Sequence, residues 1–166
     1  MAVCYSGSLE EGERILRPVR EFGPPLADHI QPMPYTAAQQ ILAPLAPAGR
    51  HYYIKSHFIK DISAGAIDTM VAHFEQVTSP LSAMIFQQLG NAVSRVPSGD
   101  SAFGYRDTGY EWATISAWLD PGESASHIRW TREFSQAMLP FTKGFYVNQV
   151  GTEADEGADL IREADR

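Results

Sequence analysis

The stretch Tyr110-Glu111-Trp112-Ala113-Thr114-Ile115-Ser116-Ala117-Trp118-Leu119 decides the fold. Its aromatic and β-branched residues favour a pleated strand. Side chains alternate along a strand, so Trp112, Thr114, Ser116 and Trp118 share one face. Ala113, Ile115, Ala117 and Leu119 take the other. Residues 51–59, His-Tyr-Tyr-Ile-Lys-Ser-His-Phe-Ile, have the same character and read as a second strong strand. Between them, Ser63 starts a helix in which Ile67, Met70, Val71 and Phe74 recur at helical spacing. Thr78-Ser79-Pro80 ends it.

Ser82–Leu89 reads as a strand, and Ser101–Arg106 as another after the Pro97-Ser98-Gly99-Asp100 turn. Helical spacing returns from Glu123 to Leu139, and Gly144–Gln149 reads as a further strand. Towards the N-terminus, Val3–Tyr5 is a short strand, followed by a helix with capping-box spacing between Ser8 and Glu11. That helix runs to Phe22 and should kink at Pro18. An extended segment, 28–35, carries Pro32 and Pro34, and Thr36 caps a short helix to Leu42. Neighbouring strands joined by short turns are antiparallel. The expectation is an α+β fold: a largely antiparallel sheet of about six to seven strands, helices packed on one face, in ferredoxin-like strand-helix-strand-strand-helix-strand halves. Residues 1–152 form that domain, and 153–166 an acidic helical tail whose pattern stops short.

Composition narrows the function. A chain of 166 residues with 44% hydrophobic content can bury a core without metals or disulfides. The formal charge of -7 disfavours nucleic acid and anionic membrane surfaces. There is neither a signal-peptide pattern nor a long apolar run, so a cytoplasmic protein is expected. The one cysteine, Cys4, excludes an internal disulfide and reads as a buried small residue.

No glycine-rich phosphate cradle occurs, so no cofactor is expected to bind this chain alone. The five histidines lack metal-ligand spacing, and no metal is expected. His73 and His127 read as surface residues on helices. His51, Tyr53, Lys55 and His57 share one polar strand face, which is either solvated or a pocket wall. Trp112 and Trp118 offer one aromatic surface, for core packing or for a ring-bearing ligand.

Several segments resemble the substrate-binding domain of bacterial FAD-linked oxidases of the berberine-bridge-enzyme type, within the vanillyl-alcohol-oxidase-type flavoproteins. They are Cys4-Tyr5-Ser6-Gly7 before a capped helix, Leu16-Arg17-Pro18, Phe22-Gly23-Pro24-Pro25 and Met33-Pro34-Tyr35. Lys55-Ser56, Leu89-Gly90-Asn91-Ala92-Val93, Phe103-Gly104-Tyr105-Arg106, Trp118 and Tyr146-Val147-Asn148 follow in order. Asn91 stands where the family has a second Gly, and Tyr105 where His is usual.

The resemblance implies a part that covers the flavin ring and forms a small-molecule substrate pocket. Its partner is an FAD-binding domain, in cis or in trans. It implies Tyr53, Lys55, His57, Gln87, Arg95 and Trp118 as substrate-binding, and Tyr146 and Asn148 as cofactor-binding. The family's usual base positions hold Arg95 and Gln149, neither of which accepts a proton at neutral pH, so the catalytic base is unassigned. A stand-alone ligand-binding or docking module, with homodimerisation covering an apolar face, is the alternative. A small isomerase with His51 or His57 as base is a third reading.

Overall fold

The computed structural model describes residues 1–146. The expected strand at 144–149, Asn148, Gln149 and the tail from 153 lie wholly or partly outside the described residues. The chain divides into two units, Met1–Pro47 and Ala48–Arg166.

The first unit is built around α1, Leu9–Arg20. Ser8 caps it, its side chain accepting the Glu11 backbone N–H at 3.3 Å. Glu10 and Glu11 in the first turn and Arg17 and Arg20 in the last suit the helix dipole. Pro18 lies inside the helix, which continues through it to Arg20. Arg20 ties the helix to the following segment, pairing with Asp28 at 3.1 Å and donating to the Ile30 carbonyl at 2.7 Å. Val3–Tyr5 is not a strand, and Cys4 is exposed rather than buried. Residues 28–34 form no strand, consistent with Pro32 and Pro34, and the Ile30 N–H donates to Asp28 Oδ1 at 2.9 Å. Only Tyr35–Ala38 is helical (α2), capped at Pro34 instead of Thr36, and it passes into turns before Pro44.

In the second unit three strands make one antiparallel sheet: β1 (His51–Ile59), β2 (Ala83–Gln88) and β3 (Tyr110–Trp118). The spatial order is β1-β3-β2, so the last strand is the central one. Among the described residues its α-helices are α3 (Ala64–Phe74), capped by Ser63, and α4 (Ser124–Met138). The order β1-α3-β2-β3-α4 keeps the expected strand-helix-strand-strand-helix succession once, and the α+β class holds. The strand count does not: three strands are found among the described residues where about six to seven were expected.

Ser101–Arg106 is not a strand. There the Arg106 side chain folds back, donating to the Val93 carbonyl at 3.4 Å and to Ser101 Oγ, and sits over the Phe103 ring. Local side-chain bonding thus replaces a ladder. Beside β1, the Lys143 N–H donates to the Phe58 carbonyl at 2.7 Å and the Phe58 N–H to Gly144 at 3.2 Å. That pairing begins a further edge.

The register assigns the faces. His51 pairs with Trp118, Tyr53 with Ser116, Lys55 with Thr114, and His57 with Trp112. Met84 and Phe86 on β2 lie opposite Thr114 and Trp112. This face carries the core: Ile59, Ala66, Met70, Trp112, Trp130, Phe134 and Met138. Helices α3 and α4 therefore cover the face that holds His51, Tyr53, Lys55 and His57. Burying side chains such as Trp112 and Phe134, both fully buried, stabilises the unit by ~2–3 kcal/mol each before entropy is counted. Some polar atoms in the layer are paired, while Trp112 Nε1 and Thr114 Oγ1 are buried without a hydrogen-bond partner among the described residues. Trp130 Nε1 donates to the His73 carbonyl, Trp118 Nε1 to Ser124 Oγ, and Ser116 Oγ to the His127 carbonyl.

Candidate functional site

The residues expected on a polar pocket wall lie beneath α4. His57 Nε2 meets Ser135 Oγ at 2.7 Å, and its ring stacks on Trp112 at 6.0 Å. Burial pushes its pKa down to about 4; a hydrogen bond to the Gly144 carbonyl opposes this and the Lys55 charge reinforces it. Tyr53 accepts from Arg132 Nε at 3.1 Å and lies between two cations, Lys55 at 5.7 Å and Arg132 at 5.8 Å from its ring centre. Trp118 is buried, stacked between His51 at 5.7 Å and His127 at 5.1 Å. His127 is 3% exposed, which overturns its reading as a surface residue, and Thr78 Oγ1 meets its Nδ1 at 2.7 Å. Tyr53, His57 and Trp118 thus join the sheet to α4, with Lys55 beside the Tyr53 ring. Arg95 is exposed in the connection between β2 and β3. A concavity lined by Arg132, Glu133, Gln136 and Ala137 runs along α4 alone, a groove on one helix.

The opposite sheet face is different in kind. It presents Tyr52, Ile54, Ser56 and Phe58 from β1, then Glu111, Ala113, Ile115 and Ala117 from β3, and Ala83, Ile85 and Gln87 from β2. Among the described residues no helix of this unit packs on it; Tyr52, Ile85 and Gln87 are exposed, while Ser56, Phe58, Glu111, Ala113 and Ala117 are buried. Gln87 lies directly opposite Glu111, which lies directly opposite Phe58. At that end the rings gather. Tyr105 stacks on Phe58 at 4.7 Å, Phe103 meets its edge at 5.6 Å, and Tyr146 tilts against it at 6.1 Å. Of the expected site residues, Gln87 and Tyr146 are therefore brought to this face.

Glu111 was not among the expected site residues. It is 5% exposed, and its Oε1 has no hydrogen-bond partner among the described residues. Burial holds its carboxyl above the usual carboxylate range. Ser56 Oγ, on the same face, is likewise buried without a partner. The signal was present in the sequence: Glu111 is the one charged residue of its strand, on a face otherwise made of Ala113, Ile115 and Ala117. The connection leading to it carries a second feature. Asn91, where the resemblance expects glycine, has φ of 48°, the left-handed region that Asn tolerates better than most residues.

No protein-family model matches the chain. Curated relatives do. An FAD-linked oxidoreductase of Dictyostelium discoideum is 26% identical over 155 residues, covering 92% of this chain and 34% of that protein. The uncharacterised FAD-linked oxidoreductase YgaK of Bacillus subtilis is 29% identical over 147 residues, 87% of this chain and 32% of its own length. The chain thus spans about a third of the length of the curated relatives it matches. A variant of berberine bridge enzyme superposes with a TM-score of 0.73 at 15% identity, over 95% of this chain and 37% of that one. A berberine-bridge-enzyme-like protein of Arabidopsis thaliana gives 0.57 at 19% identity, over 72% and 31%. The chain is similar in sequence to FAD-linked oxidoreductases and in fold to part of berberine bridge enzyme.

Proposed function

We propose that this chain is the substrate side of an FAD-dependent oxidoreductase, with the sheet face opposite α3 and α4 as the wall that meets flavin ring and substrate. The observation that carries this is the division of the sheet. Helices α3 and α4 cover one face; on the other, among the described residues, Ile85 and Gln87 are exposed near the buried carboxylate of Glu111, and Tyr52 is exposed at the far end of β1. A surface of that kind marks a binding site. The relatives' name, FAD-linked oxidoreductase, suggests the cofactor class.

The residues fit one side of the cofactor. A pyrophosphate requires converging N–H donors or basic side chains. The face opposite α3 and α4 offers apolar residues, Gln87 and one carboxylate, which suit a planar ring and a small polar substrate. When bound, FAD would supply the two-electron acceptor. This chain's residues orient the substrate and exclude water. In this reading Tyr146, packed on Phe58 and Phe103, borders the ring side. The partner is an FAD-binding domain, in the same chain or in another.

The test is flavin retention. The open reading frame containing this chain, purified whole with any partner it brings, should come out yellow with one FAD per copy. The 166-residue chain incubated with FAD should lose it on ultrafiltration. A colourless whole protein sinks the reading, and a stoichiometric yellow complex with the short chain sinks the division of labour. A docking module without redox activity would give a flavin-free protein.

A further inference from the structure

We propose that the open edge of β2 binds a second copy of this chain, the two β2 strands pairing antiparallel about a two-fold axis at Phe86.

The sheet order β1-β3-β2 leaves two edges. At the β1 edge the Lys143 N–H and the Gly144 carbonyl already engage Phe58. At the β2 edge no main-chain hydrogen bond is made among the described residues of this unit. The Leu89 N–H donates to the Gly109 carbonyl at 2.8 Å, which fixes the alternation along the strand. Ala83, Ile85 and Gln87 turn their main-chain groups to β3, while Met84, Phe86 and Gln88 turn theirs off the sheet. Ser82 Oγ, accepting the Ala117 N–H at 3.3 Å, ties the start of the strand to β3 as Leu89 ties its end. β2 is thus a fixed template for one more strand.

Folded proteins guard such edges with charges or proline. This edge has neither. β2 holds no proline, and no charged residue occurs from Gln76 to Ser94 in a chain that is 20% charged. That favours a copy of this chain in particular. At a formal charge of -7, two copies repel each other except where the surface is uncharged. Self-pairing also matches at every position. The outward groups centre on Phe86, so Phe86 meets Phe86 of the second copy, and Met84 meets Gln88 at both ends alike. Every outward N–H and C=O of the two strands then finds a partner.

The pairing adds apolar contact. Ile85, which is exposed, comes opposite Gln87 of the second copy. Helix α3 shares the core cluster with Met84 and Phe86 and leaves Ile67 and Val71 exposed. Two-fold pairing brings both α3 helices to one side of a single continuous sheet. Assembly stops at two, because each β2 takes one partner and the β1 edge is engaged at Phe58. The sheet grows in its own plane, so the face opposite α3 and α4 stays uncovered.

Sedimentation tests this on the 166-residue chain. An interface this small associates weakly, so between about 1 and about 200 µM the mass should pass from 18.3 kDa to twice that value. Ile85→Lys sets like charges diagonally across the pairing and should raise the dissociation constant about tenfold or more, with an unchanged urea melt. A second variant reads the geometry. Ile85 and Gln87 of the second copy form a non-hydrogen-bonded pair, with Cα atoms about 4.5 Å apart, within disulfide reach. On a Cys4→Ser background, Ile85→Cys with Gln87→Cys should oxidise to a covalent dimer, and Gly23→Cys, in an exposed turn, should not. A chain that stays at 18.3 kDa throughout overturns the proposal and leaves the edge to a strand of another protein. A dimer that survives Ile85→Lys and is not trapped by the cysteine pair overturns it as well, since its contact lies elsewhere. Fibres in place of a dimer overturn the closure at two. If Ile85→Lys does not fold, the cysteine pair decides alone.

Discussion

Acidification should unfold this protein through His57. The imidazole is held neutral between Ser135 and Trp112, under α4. Its pKa falls from 6.5 to about 4, chiefly because burial disfavours the cation. In the unfolded chain it returns to about 6.5, so the unfolded state binds the proton first as pH falls. The stabilisation is complete above pH 6.5 and is lost as pH drops towards 4. At 1.36 kcal/mol per pK unit the loss is about 3 kcal/mol, a large fraction of a domain's stability. Urea melts at pH 7 and pH 4.5 measure it, on the wild type and on His57→Leu. The wild type should lose about 2–3 kcal/mol more than the variant over that interval. Equal losses in both, or a His57 resonance titrating near 6.5, would refute the argument. Glu111 tilts the other way: its raised pKa gives stability that is full at acid pH and is lost as pH rises through its folded value. The two slopes must be separated by variant, not by pH alone.

Glu111→Gln should therefore raise the urea midpoint at pH 8 more than at pH 4, and an equal gain at both would remove the buried charge as its cause. Trp112→Ala should cost about 3–5 kcal/mol in chemical denaturation, because a fully buried indole packed on Phe134 at 5.1 Å leaves a cavity. Gly144→Ala should destabilise by roughly 1–3 kcal/mol, since φ is 67° there and a Cβ would run into the Tyr105 ring. The control Gly23→Ala, with nothing near its Cβ position, should be close to neutral in the same melts. Asn91→Val should lower stability by about 1–2 kcal/mol while Asn91→Gly does not, if the left-handed backbone is what that position requires.

What the sequence revealed and what it hid follow from range. The strands 51–59 and 110–118 and the helices after Ser63 and Ser124 were legible because alternation and helical spacing are local. Ser101–Arg106 carried the same aromatic flavour but went to side-chain bonding around Arg106, which composition does not encode. Which face α4 covers was not legible for a related reason. His51, Tyr53, Lys55 and His57 look polar, yet each pairs across to Trp118, Ser116, Thr114 or Trp112, and α4 supplies Ser135 and Arg132 to meet two of them. Amphipathic side chains can sit under a helix when their polar tips find partners there. Glu111 escaped notice because a lone acid in a strand gains meaning only once its register neighbours are known.

The sheet order also has a kinetic side. With β3 at the centre, neither β1 nor β2 has a neighbour until residues 110–118 exist. During synthesis the strand 51–59 must therefore wait, unpaired, while residues 60–109 emerge after it. Closing that span is an entropic cost met before any ladder bond forms. The nascent chain is most prone to stick to its neighbours in that interval, and a ribosome stalled just before Tyr110 would hold a protein with helices but no sheet.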